Sequence, residues 1–400
     1  MSQSLQGIRV LDLTNVLAGP FCAYQLALLG ATVIKVEVPG EGDLARQLGA
    51  DADLNARHMG ASFLAQNAGK QSITLNLKAA AARDVLLRLV DGADVLVENF
   101  RPGVMTRLGL SCETLKERNP RLIYCAISGF GQHGPLKGAP AYDQIIQGMS
   151  GIMSITGSDT SAPLRVGYPV ADTLAGITAA FAICAALVRR SRCNEGDFID
   201  VSMLDCALGA MGWAVSNYLI AGVEPQPQGN DNFTAAPSGA FKTSDGLLNI
   251  AANKQDQFES LVGAIGRPDL ATDARFATRE ARKHNRAALT LQLEAVLQTQ
   301  CSAHWAALFT RLGVPAGAVL SVPEALQLPQ VQLRGLVKNF EHEAALGRPL
   351  KLVRAGFKQS SGDPDVATAP PLLGQQTDEL LASLGYTAND IAQLRAEGAV

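Results

Sequence analysis

The sequence is poor in charged and aromatic residues and has no large excess of charge of either sign. Charged residues make up 18% of its 400 residues, aromatic residues 5%, and the formal net charge is −3. Without a positive excess there is no electrostatic basis for expecting nucleic acid or an anionic membrane surface as a partner. Apolar residues make up 47%, which suffices for a substantial core and excludes a largely disordered chain. Length and composition therefore favour a globular enzyme.

Cysteines and histidines are too scattered to predict a metal or dithiol centre. The seven cysteines form no Cys-x-x-Cys pair, and an odd count without a small Cys-dense module fits a reducing compartment. The five histidines show no His-x-x-x-His spacing, and Glu341-His342-Glu343 is interpreted as a solvated charge cluster. The first residues carry no export signal, and the most apolar run, residues 175–188, is shorter than a membrane span. We therefore expect a cytoplasmic protein without a metal.

The familiar nucleotide and nucleophile motifs are also missing. The turn after the first predicted strand, residues 14–20, lacks the G-x-G-x-x-G that lets a pyrophosphate approach the backbone. Without those glycines, Glu37 at the end of the second predicted strand is interpreted as a surface charge rather than a ribose ligand. No P-loop motif occurs, and Ser128 and Ser150 lack the neighbours of a nucleophile elbow. The sequence thus argues against the common dinucleotide, P-loop and serine-hydrolase sites.

The first half of the chain alternates strand and helix signals. The runs 8–13, 32–36, 72–77, 94–97 and 122–127 are nearly continuously apolar, with helix-like segments among them. They predict a parallel sheet covered by helices, a Rossmann-like α/β domain over residues 1–222. The Pro- and Gln-rich stretch 223–229 predicts a linker, and the runs 239–243 and 247–251 predict a hairpin. Residues 230–328 are therefore predicted to form a smaller α+β domain.

Asp172 is the most informative single position, because it comes just before a long apolar run. Asp is a favoured helix N-cap, and on spacing alone that structural role is the better supported interpretation. The position also suits chemistry, since a helix N-terminus lowers the pKa of a carboxylate, and an ionised, fixed carboxylate can attack an activated acyl group. Gly176, one turn later, would let a backbone or a ligand approach closely.

A set of short motifs, each weak alone, occurs in an order and spacing typical of one enzyme family. The set comprises residues 11–14 with 18–20, 29–37, 42–43, 94–103, 128–131, 142–143, 147–148 and 197–202. In these motifs the chain resembles the class III coenzyme A transferases, the formyl-CoA and carnitine-CoA transferase group. The resemblance covers most of the chain and is strongest over residues 5–220.

The resemblance implies that Asp172, in the helix that follows Thr156-Gly157, is the acyl-accepting nucleophile. It would attack the thioester of a donor acyl-CoA to give a mixed anhydride. The CoA thiolate would then form an aspartyl-CoA thioester, which an acceptor acid attacks. CoA and acyl-CoA are then substrates, and no tightly bound cofactor is expected. The resemblance also implies an interlaced homodimer and a C-terminal segment, residues 340–400, that returns to the large domain.

CoA contacts at the ends of the predicted strands are implied in the same way. Arg107 would bind the CoA phosphates, although by itself it suits a cation at a helix C-terminus. Tyr142 and Met203 would line the thioester pocket, with packing in the core as their alternative. The remaining implied contacts, to adenine, pantetheine or other parts of CoA, are Leu75, Asn99, Phe100 and Lys137.

Several positions depart from the family pattern. Leu17 and Val38 stand where formyl-CoA-transferring members have Gln and a basic residue, and residues 251–255 lack their Gly-rich loop. These differences argue against formyl or oxalyl substrates. Arg165 could anchor the second carboxylate of an acceptor such as succinate, mesaconate or citramalate, or it is an ordinary surface arginine.

Two other functions stay open at this stage. The related 2-methylacyl-CoA racemases pair an Asp with a preceding His, whereas Tyr142 precedes Asp143 here. A tyrosine is a poor substitute because a racemase needs groups that exchange protons near neutral pH. The second alternative is a CoA-binding protein without catalytic activity, in which Asp172 has no chemical role.

Overall fold

A parallel sheet forms the centre of the computed structural model, which describes residues 3–341 and 346–400. Its strands are β1 Arg9–Asp12, β2 Thr32–Glu37, β3 Lys70–Thr74, β4 Val95–Glu98, β5 Ile123–Ser128 and β6 Asp197–Ser202. They are hydrogen-bonded in the order β3-β2-β1-β4-β5-β6, and every neighbouring pair is parallel. The order reverses between β1 and β4, which is where ligands bind in doubly wound sheets. The predicted Rossmann-like α/β fold is confirmed.

Helices cover both faces of this sheet, as the nearly continuous apolar strands require. On one face, Val10, Val33 and Val95 contribute to a hydrophobic core between the sheet and its helices. On the other face, Leu11 and Ile34 contribute to a second such core. Between Ala18 and Ala221 the α-helices are α1 Ala18–Leu28, α2 Ala52–Ala56, α3 Ala61–Leu64, α4 Ala80–Asp91, α5 Val104–Arg107, α6 Cys112–Arg118, α7 Asp143–Met149, α8 Ile152–Ile155, α9 Val170–Cys193, α10 Met203–Ala210 and α11 Gly212–Ala221, with a 3₁₀ helix at Leu44–Gln47.

Two compact units make up the chain. The first comprises Met1–Ile152, Arg165–Gly222 and Arg334–Val400, and the second comprises Met153–Leu164 and Val223–Leu333. The inclusion of Met153–Leu164 in the second unit was not among the predicted boundaries. It is accompanied by a hydrogen bond from Gly229 N to Gly157 O of 2.6 Å. As functional domains, the segments 1–222, 230–328 and 340–400 stay a prediction.

The second unit is a small α+β fold. Its sheet has the order β7-β8-β9, from β7 Ser238–Lys242, β8 Leu247–Ala251 and β9 Ala316–Ala318, and the antiparallel pairing of β7 with β8 confirms the predicted hairpin. Phe241, Leu248, Phe258 and Phe309 belong to its core. Its helices are α12 Gln255–Ala264, α13 Asp269–Thr272, α14 Arg279–His284, α15 Arg286–Leu297, α16 Ser302–Arg311 and α17 Val322–Leu326, and α18 Pro329–Arg334 crosses its boundary.

The C-terminal residues pack on the first unit. An antiparallel pair, β10 Val337–Phe340 and β11 Leu350–Val353, is followed by α19 Thr377–Ser383 and α20 Ala388–Ala396. Gln376 is fastened to β3, since Ser72 N donates to Gln376 Oε1 at 2.8 Å and Gln376 N donates to Ser72 O at 2.9 Å. Asn76 N donates to Ala399 O at 2.8 Å, so the last residues lie beside the end of β3.

Helix α9 has the length and composition that could cross a membrane, by those two criteria alone. The predicted apolar run 175–188 lies within this 24-residue helix, so the expectation of a segment too short for a membrane span is wrong. Buried residues such as Ala175, Gly176 and Ala179 belong to the core of the first unit, where α9 packs against α1 and α10. Core helices of globular proteins meet the same two criteria, and α9 packs as such a helix.

Candidate active site

Loops at the carboxyl ends of the strands enclose a cavity of about 230 Å³ with Asp172 in its wall. Helices α1 and α9 both begin at this cavity, and the segments that follow β4, β5 and β6 complete it. Its lining residues are Asn15, Val16, Leu17, Ala18, Asn99, Phe100, Arg101, Pro102, Ile127, Ser128, Gly129, Lys137, Ala139, Pro140, Ala141, Tyr142, Asp172 and Met203. The switch in strand order thus leads to a carboxylate-bearing cavity.

Asp172 is the third residue of α9 and does not cap the helix. The N-cap position is Pro169, which has no side-chain acceptor, and the carboxylate of Asp143 from α7 takes its place. Asp143 Oδ1 accepts from Ala171 N at 2.9 Å and from Asp172 N at 3.5 Å. The N-cap interpretation of Asp172 is therefore wrong. A neighbouring helix supplies the cap, so the side chain of Asp172 is not committed to capping.

The electrostatic environment of Asp172 is opposite to the predicted one. Burial raises the pKa of the Asp172 carboxyl, and the nearby charge of Asp143 raises it further, to about 7. The predicted lowering of this pKa by the helix N-terminus is wrong, because desolvation and a like charge outweigh the helix dipole. A half-buried carboxylate whose pKa is close to neutral is a candidate for chemistry rather than for stabilisation.

Asp143 is held by its own set of partners. Gln147 Nε2 donates to Asp143 Oδ2 at 2.7 Å, while Gln147 Oε1 accepts from Val166 N at 2.9 Å. Arg165 NH2 lies 3.6 Å from Asp143 Oδ2, with 45% of its side chain exposed. Asp143 and Gln147, which belong to the sequence pairs Tyr142-Asp143 and Gln147-Gly148, thus connect the segment before α9 to the start of that helix. Arg165 lies beside the carboxylate pair rather than in an isolated surface position.

Six of the eight residues predicted for the site line this one cavity. Tyr142 is 67% exposed, so packing in the core is wrong for it, whereas Met203 is only 6% exposed and belongs to the core as well as to the cavity wall. The six are Asn99, Phe100, Lys137, Tyr142, Asp172 and Met203. Their proximity is a property of the structure, whereas their chemical roles stay predictions.

Leu75 lines a second cleft, of about 520 Å³, beside the ends of β1, β2 and β3. Asn15 and Phe100 line both this cleft and the Asp172 cavity. Leu75 N already donates to Glu37 O at 2.7 Å, so this backbone N–H is not available to a ligand. Lys78 and the backbone near Gly398 also line the cleft, and neither was predicted.

Arg107 is not among the residues that line either of these cavities. It ends α5, is exposed, and lines a shallower depression with Arg83 and Asp84. Its position at a helix C-terminus agrees with the structural alternative considered for it. In the Asp172 cavity, the lining residues with a positive charge are instead Arg101 and Lys137.

Glu37 is buried, and its interpretation as a surface charge is wrong. It is 4% exposed, and the guanidinium of Arg46 binds both of its oxygens, at 2.7 and 2.8 Å. Ser72 Oγ also donates to Glu37 Oε2 at 2.7 Å. These contacts lower the pKa of Glu37 although burial opposes them. With both oxygens bound, Glu37 does not offer a ribose ligand either.

The close approach expected at Gly176 involves a backbone. A Cβ at Gly176 would lie 2.5 Å from Ala18 O, where α1 crosses α9 one turn beyond Asp172. The site residues that the sequence did not reveal include Asn15, Arg101 and Ser128. Ser128 and Arg101 belonged to motifs of the family resemblance, but Asn15 had no signal beyond its position after β1.

No group of three or more His, Cys, Asp or Glu side chains that could hold a metal occurs among residues 3–341 and 346–400. His342 and Glu343, two members of the charge triplet, lie outside the described residues. The cavity therefore has to be understood from its carboxylates, amides and cations.

The doubly wound sheet, with a carboxylate near its switch point, defines an α/β enzyme. The sequence profile of CoA-transferase family III matches residues 5–377, and the chain belongs to this family. It is 41% identical to the acetyl-CoA:oxalate CoA-transferase of Acetobacter aceti, over 92% of this chain and 93% of that protein. It is 37% identical to the succinyl-CoA:glutarate CoA-transferase of Mus musculus, over 99% and 90%.

A solved structure gives the same result for the fold. The crystal structure of a CAIB/BAIF family protein from Brucella suis is 36% identical, with a TM-score of 0.85, over 96% of this chain and 100% of that one. The chain is therefore a CoA-transferase by family, and CoA thioesters are its class of substrate.

Proposed function

We propose that this enzyme transfers CoA from an acyl-CoA to a dicarboxylic acid, with Asp172 as the nucleophile. The observation that carries the proposal is the position of the Asp172 carboxylate, in a cavity that it shares with five of the implied CoA contacts. With a pKa of about 7, a large fraction of the Asp172 carboxyl is ionised at neutral pH. The ionised group is also more basic than an ordinary aspartate. Such a group combines availability with nucleophilicity.

The proposed reaction proceeds through two activated forms of Asp172. A carboxylate oxygen attacks the thioester carbonyl, the C–S bond breaks, and a mixed anhydride and CoA thiolate result. The thiolate attacks the aspartyl carbonyl, releases the donor acid and leaves an aspartyl-CoA thioester. The acceptor carboxylate repeats this sequence in reverse, so CoA leaves on the acceptor and Asp172 is regenerated. Every bond broken is replaced, and no ATP, metal or tightly bound cofactor takes part.

CoA is proposed to extend from the second cleft into the Asp172 cavity. The two spaces share Asn15 and Phe100, so an extended molecule could pass between them. The adenine would lie near Leu75 and the thioester near Tyr142 and Met203. Arg107 can bind the CoA phosphates only if they extend from the cleft toward α5. Arg101 and Lys137 are the cations that line the Asp172 cavity itself.

The acceptor is proposed to be a dicarboxylate. Arg165 NH2 approaches Asp143 at 3.6 Å but is 45% exposed, so part of the guanidinium is available to a second carboxylate. The relatives named for oxalate and glutarate both act on dicarboxylates. Oxalate is included among the proposed acceptors despite the departures at Leu17 and Val38, since the oxalate enzyme is 41% identical. Succinate, mesaconate and citramalate stay within the same class.

The racemase alternative is not supported by the cavity. Tyr142 stands where its His is needed, and no His is found among the cavity's lining residues in the described part of the chain. Asp143 is engaged in capping α9, so it is not placed as a free base. In a CoA-binding protein without activity, a half-buried carboxylate with a raised pKa in this cavity would have no function.

We also propose a cytoplasmic homodimer. Helix α11 has no buried residue, and its Trp213, Leu219 and Ile220 are 68%, 74% and 85% exposed. Phe181 of α9 is 74% exposed as well. Large apolar side chains with this much exposure favour burial against another chain. A second copy is the proposed partner, and sedimentation of the purified protein tests it.

Exchange assays test the activity. Succinyl-CoA is incubated with oxalate, glutarate, citramalate and mesaconate, with acetate as a monocarboxylate, and new CoA thioesters are measured. Asp172→Asn should abolish exchange, and hydroxylamine added during turnover should modify residue 172 in the wild type. Asp205→Asn is the matched control, because Asp205 is also the third residue of a helix, α10. Full activity of Asp172→Asn would overturn the proposal.

The role of Arg165 is tested separately. Arg165→Met should raise KM for dicarboxylates and leave KM for acetate and for succinyl-CoA nearly unchanged, and Arg165→Lys should have a smaller effect. Equal changes for acetate and glutarate would show that Arg165 does not select the acceptor.

A further inference from the structure

The loop between β1 and α1, taken here as residues 14–18 with the first residue of α1 included, lines the cavity that contains Asp172 through its residues 15–18. We propose that Asp43, together with Lys35 and Asn99, positions this loop for the transfer reaction, with Asp43 as the residue that fixes its shape. The inference rests on the proposed function, because it assigns positioning residues to that reaction. It also gives a role to the Lys35 and Gly42-Asp43 positions, which the mechanism leaves unexplained.

Val16 adopts a backbone conformation that valine rarely adopts. Its φ is 69°, in the left-handed region, where a branched side chain crowds its own backbone. Such a conformation persists only where the surroundings enforce it, and these positions cluster at functional sites. Val16 lines the cavity. Something must therefore hold Val16 in place.

Asp43 supplies that restraint. Its Oδ1 accepts from Val16 N at 2.9 Å and from Ala45 N at 2.9 Å. Its Oδ2 lies 2.9 Å from Lys35 Nζ, and Asp43 N donates to Glu37 Oε1 at 3.0 Å. Asp43 is 1% exposed, so these bonds do not compete with water. One carboxylate thus joins the strained residue to β2 and to the 3₁₀ helix.

The residues before Val16 are held by separate groups. Lys35 Nζ donates to Thr14 O at 2.8 Å. The Asn99 side chain forms two bonds with the backbone of Asn15, accepting from its N at 2.9 Å and donating to its O at 2.8 Å. The Asn99 amide is therefore used within the protein, although it was predicted to contact CoA. Three successive loop residues are fixed by side chains from three different places.

On its other side the loop meets α9. Ala18 O is the atom that a Cβ at Gly176 would strike. The end of the loop therefore lies against the helix turn that follows Asp172. With both sides fixed, the loop is held in position relative to the nucleophile.

The charges behind the loop are unusual for a structural core. Three acids and three bases, each at most 4% exposed, occur together: Asp12, Lys35, Glu37, Asp43, Arg46 and Lys70. Direct contacts link them as Lys70–Asp12 at 2.8 Å, Lys35–Asp43 at 2.9 Å and Arg46–Glu37 at 2.7 Å. Desolvation makes such pairs weak stabilisers compared with apolar packing. The directional bonds of Asp43 to Val16 N and of Lys35 to Thr14 O offer a better reason for the presence of these two members of the cluster.

The experiment compares Asp43→Ala, Asp43→Asn, Val16→Gly and the double variant Asp43→Ala/Val16→Gly in the exchange assay. Asp43→Ala should lower kcat/KM by roughly a hundredfold, because small misplacements of reacting groups have effects of this size. Asp43→Asn retains an acceptor for Val16 N and should stay within about tenfold of the wild type. Glycine adopts the left-handed conformation freely, so the double variant should recover at least about tenfold over Asp43→Ala.

Asp94→Ala is the matched control, because it also removes an acid from an ion pair of the same sheet, at the opposite strand ends. It should lower the melting temperature and leave kcat/KM within about twofold. The inference is overturned if Asp43→Ala leaves kcat/KM within about twofold, as this control does. It is also overturned if the double variant Asp43→Ala/Val16→Gly has no higher kcat/KM than Asp43→Ala.

A readout independent of activity separates this inference from the proposed function. Amide hydrogen exchange of the peptide containing residues 14–20 should accelerate in Asp43→Ala and not in Asp94→Ala. If the wild type transfers CoA to no acid but this acceleration is seen, the proposed function fails and the restraint of the loop stands. Unchanged exchange in Asp43→Ala would overturn the restraint even in a fully active enzyme.

Discussion

The two ends of helix α9 have opposite electrostatic designs. At its start, Asp172 lies close to a second carboxylate, Asp143, and its pKa is raised to about 7. Near its end, Arg190 NH2 forms an ion pair with Asp94 Oδ1 at 2.7 Å and NH1 bonds two backbone carbonyls, of Asp94 and Arg121. One end holds like charges together, and the other joins opposite charges.

This difference separates the part of the molecule that is proposed to react from the part that anchors α9. A cation near a helix C-terminus is favoured by the helix dipole, and Arg190 is in addition paired with Asp94. At the N-terminus the dipole favours Asp172, but burial and Asp143 act against it. A stabilising arrangement of charges is thus found away from the cavity, and a destabilising one at the cavity. Substitutions at the two ends should therefore affect different properties.

The largest effect is expected on stability, at the end of α9. Arg190→Met should lower the free energy of unfolding by about 3 kcal/mol, because it leaves the Asp94 carboxylate without its partner. Denaturant titration measures this loss, and kcat/KM under folding conditions should stay within about twofold of the wild type. Arg189→Met is the control, since Arg189 is about half exposed and its ion pairs, at 3.6 Å, are weak. Loss of activity without loss of stability would contradict the comparison.

The next effect is expected at the start of α9. Gly176→Ala should lower kcat/KM by about tenfold to a hundredfold, because the new methyl group must displace Ala18 O and with it the loop beside Asp172. Steady-state kinetics measures the change. Gly209→Ala in α10 is a matched control, since a Cβ there meets no neighbour. Equal rates for both variants would show that the α1–α9 contact does not position the site.

The sequence was sufficient for the sheet and for the position of Asp172, but not for its environment. Continuous apolar strands predicted β1, β2, β4 and β5 closely, because a strand buried on both faces has little freedom in composition. The third strand was placed at 72–77 but spans Lys70–Thr74. Beyond it the backbone of Asn76 turns to bond Ala399, a partner more than three hundred residues away.

The misjudged residues were those whose partners belong to other elements of the structure. Glu37 resembled a surface charge until Arg46 and Ser72 enclosed it. Asp172 resembled an N-cap because local preferences could not include Asp143, which comes from another helix. Local patterns report secondary structure, whereas burial and charge pairing depend on tertiary contacts. The resemblance to a family compensated in part, since it pointed to residues that the structure brings into one cavity.

A smaller effect is expected on the pH dependence of the reaction. Deprotonated Asp172 is the proposed nucleophile, so kcat/KM should rise as pH increases through about 7 and level off above. Asp143→Asn removes the like charge but keeps an acceptor for Ala171 N, so the pKa of Asp172 should fall. The rising limb should then move to lower pH by up to roughly one unit. Rate profiles between pH 5 and about 9 measure the shift.

Asp205→Asn serves as the control for this shift. Asp205 is the third residue of α10, as Asp172 is of α9, but it does not line the cavity. Its profile should match the wild type. A limb that moves to higher pH in Asp143→Asn would mean that Asp143 stabilises ionised Asp172, contrary to the like-charge argument.

The smallest effect is expected at Glu98, a buried acid beside the cavity that takes no part in the proposed reaction. Burial raises the pKa of Glu98 to about 7, although Phe100 N and Tyr124 Oη donate to its carboxylate. A carboxyl whose folded pKa exceeds its unfolded value stabilises the protein fully at pH below that unfolded value. This contribution is lost as pH rises toward 7. Glu98→Gln removes the ionisation and keeps an acceptor for Phe100 N.

The variant should therefore be more stable than the wild type at pH 8, by about 1 kcal/mol, and no more stable at pH 5. Denaturant titration at the two pH values measures the difference. Greater stability of the variant at pH 8 with unchanged kcat/KM would show two things. The charge of Glu98 destabilises the fold near the cavity, as the charge of Asp172 does, and Glu98 takes no part in the reaction. If Glu98→Gln is instead less stable at pH 8, its charge supports the fold as Asp94 does, and destabilisation at this end of the sheet is confined to Asp172.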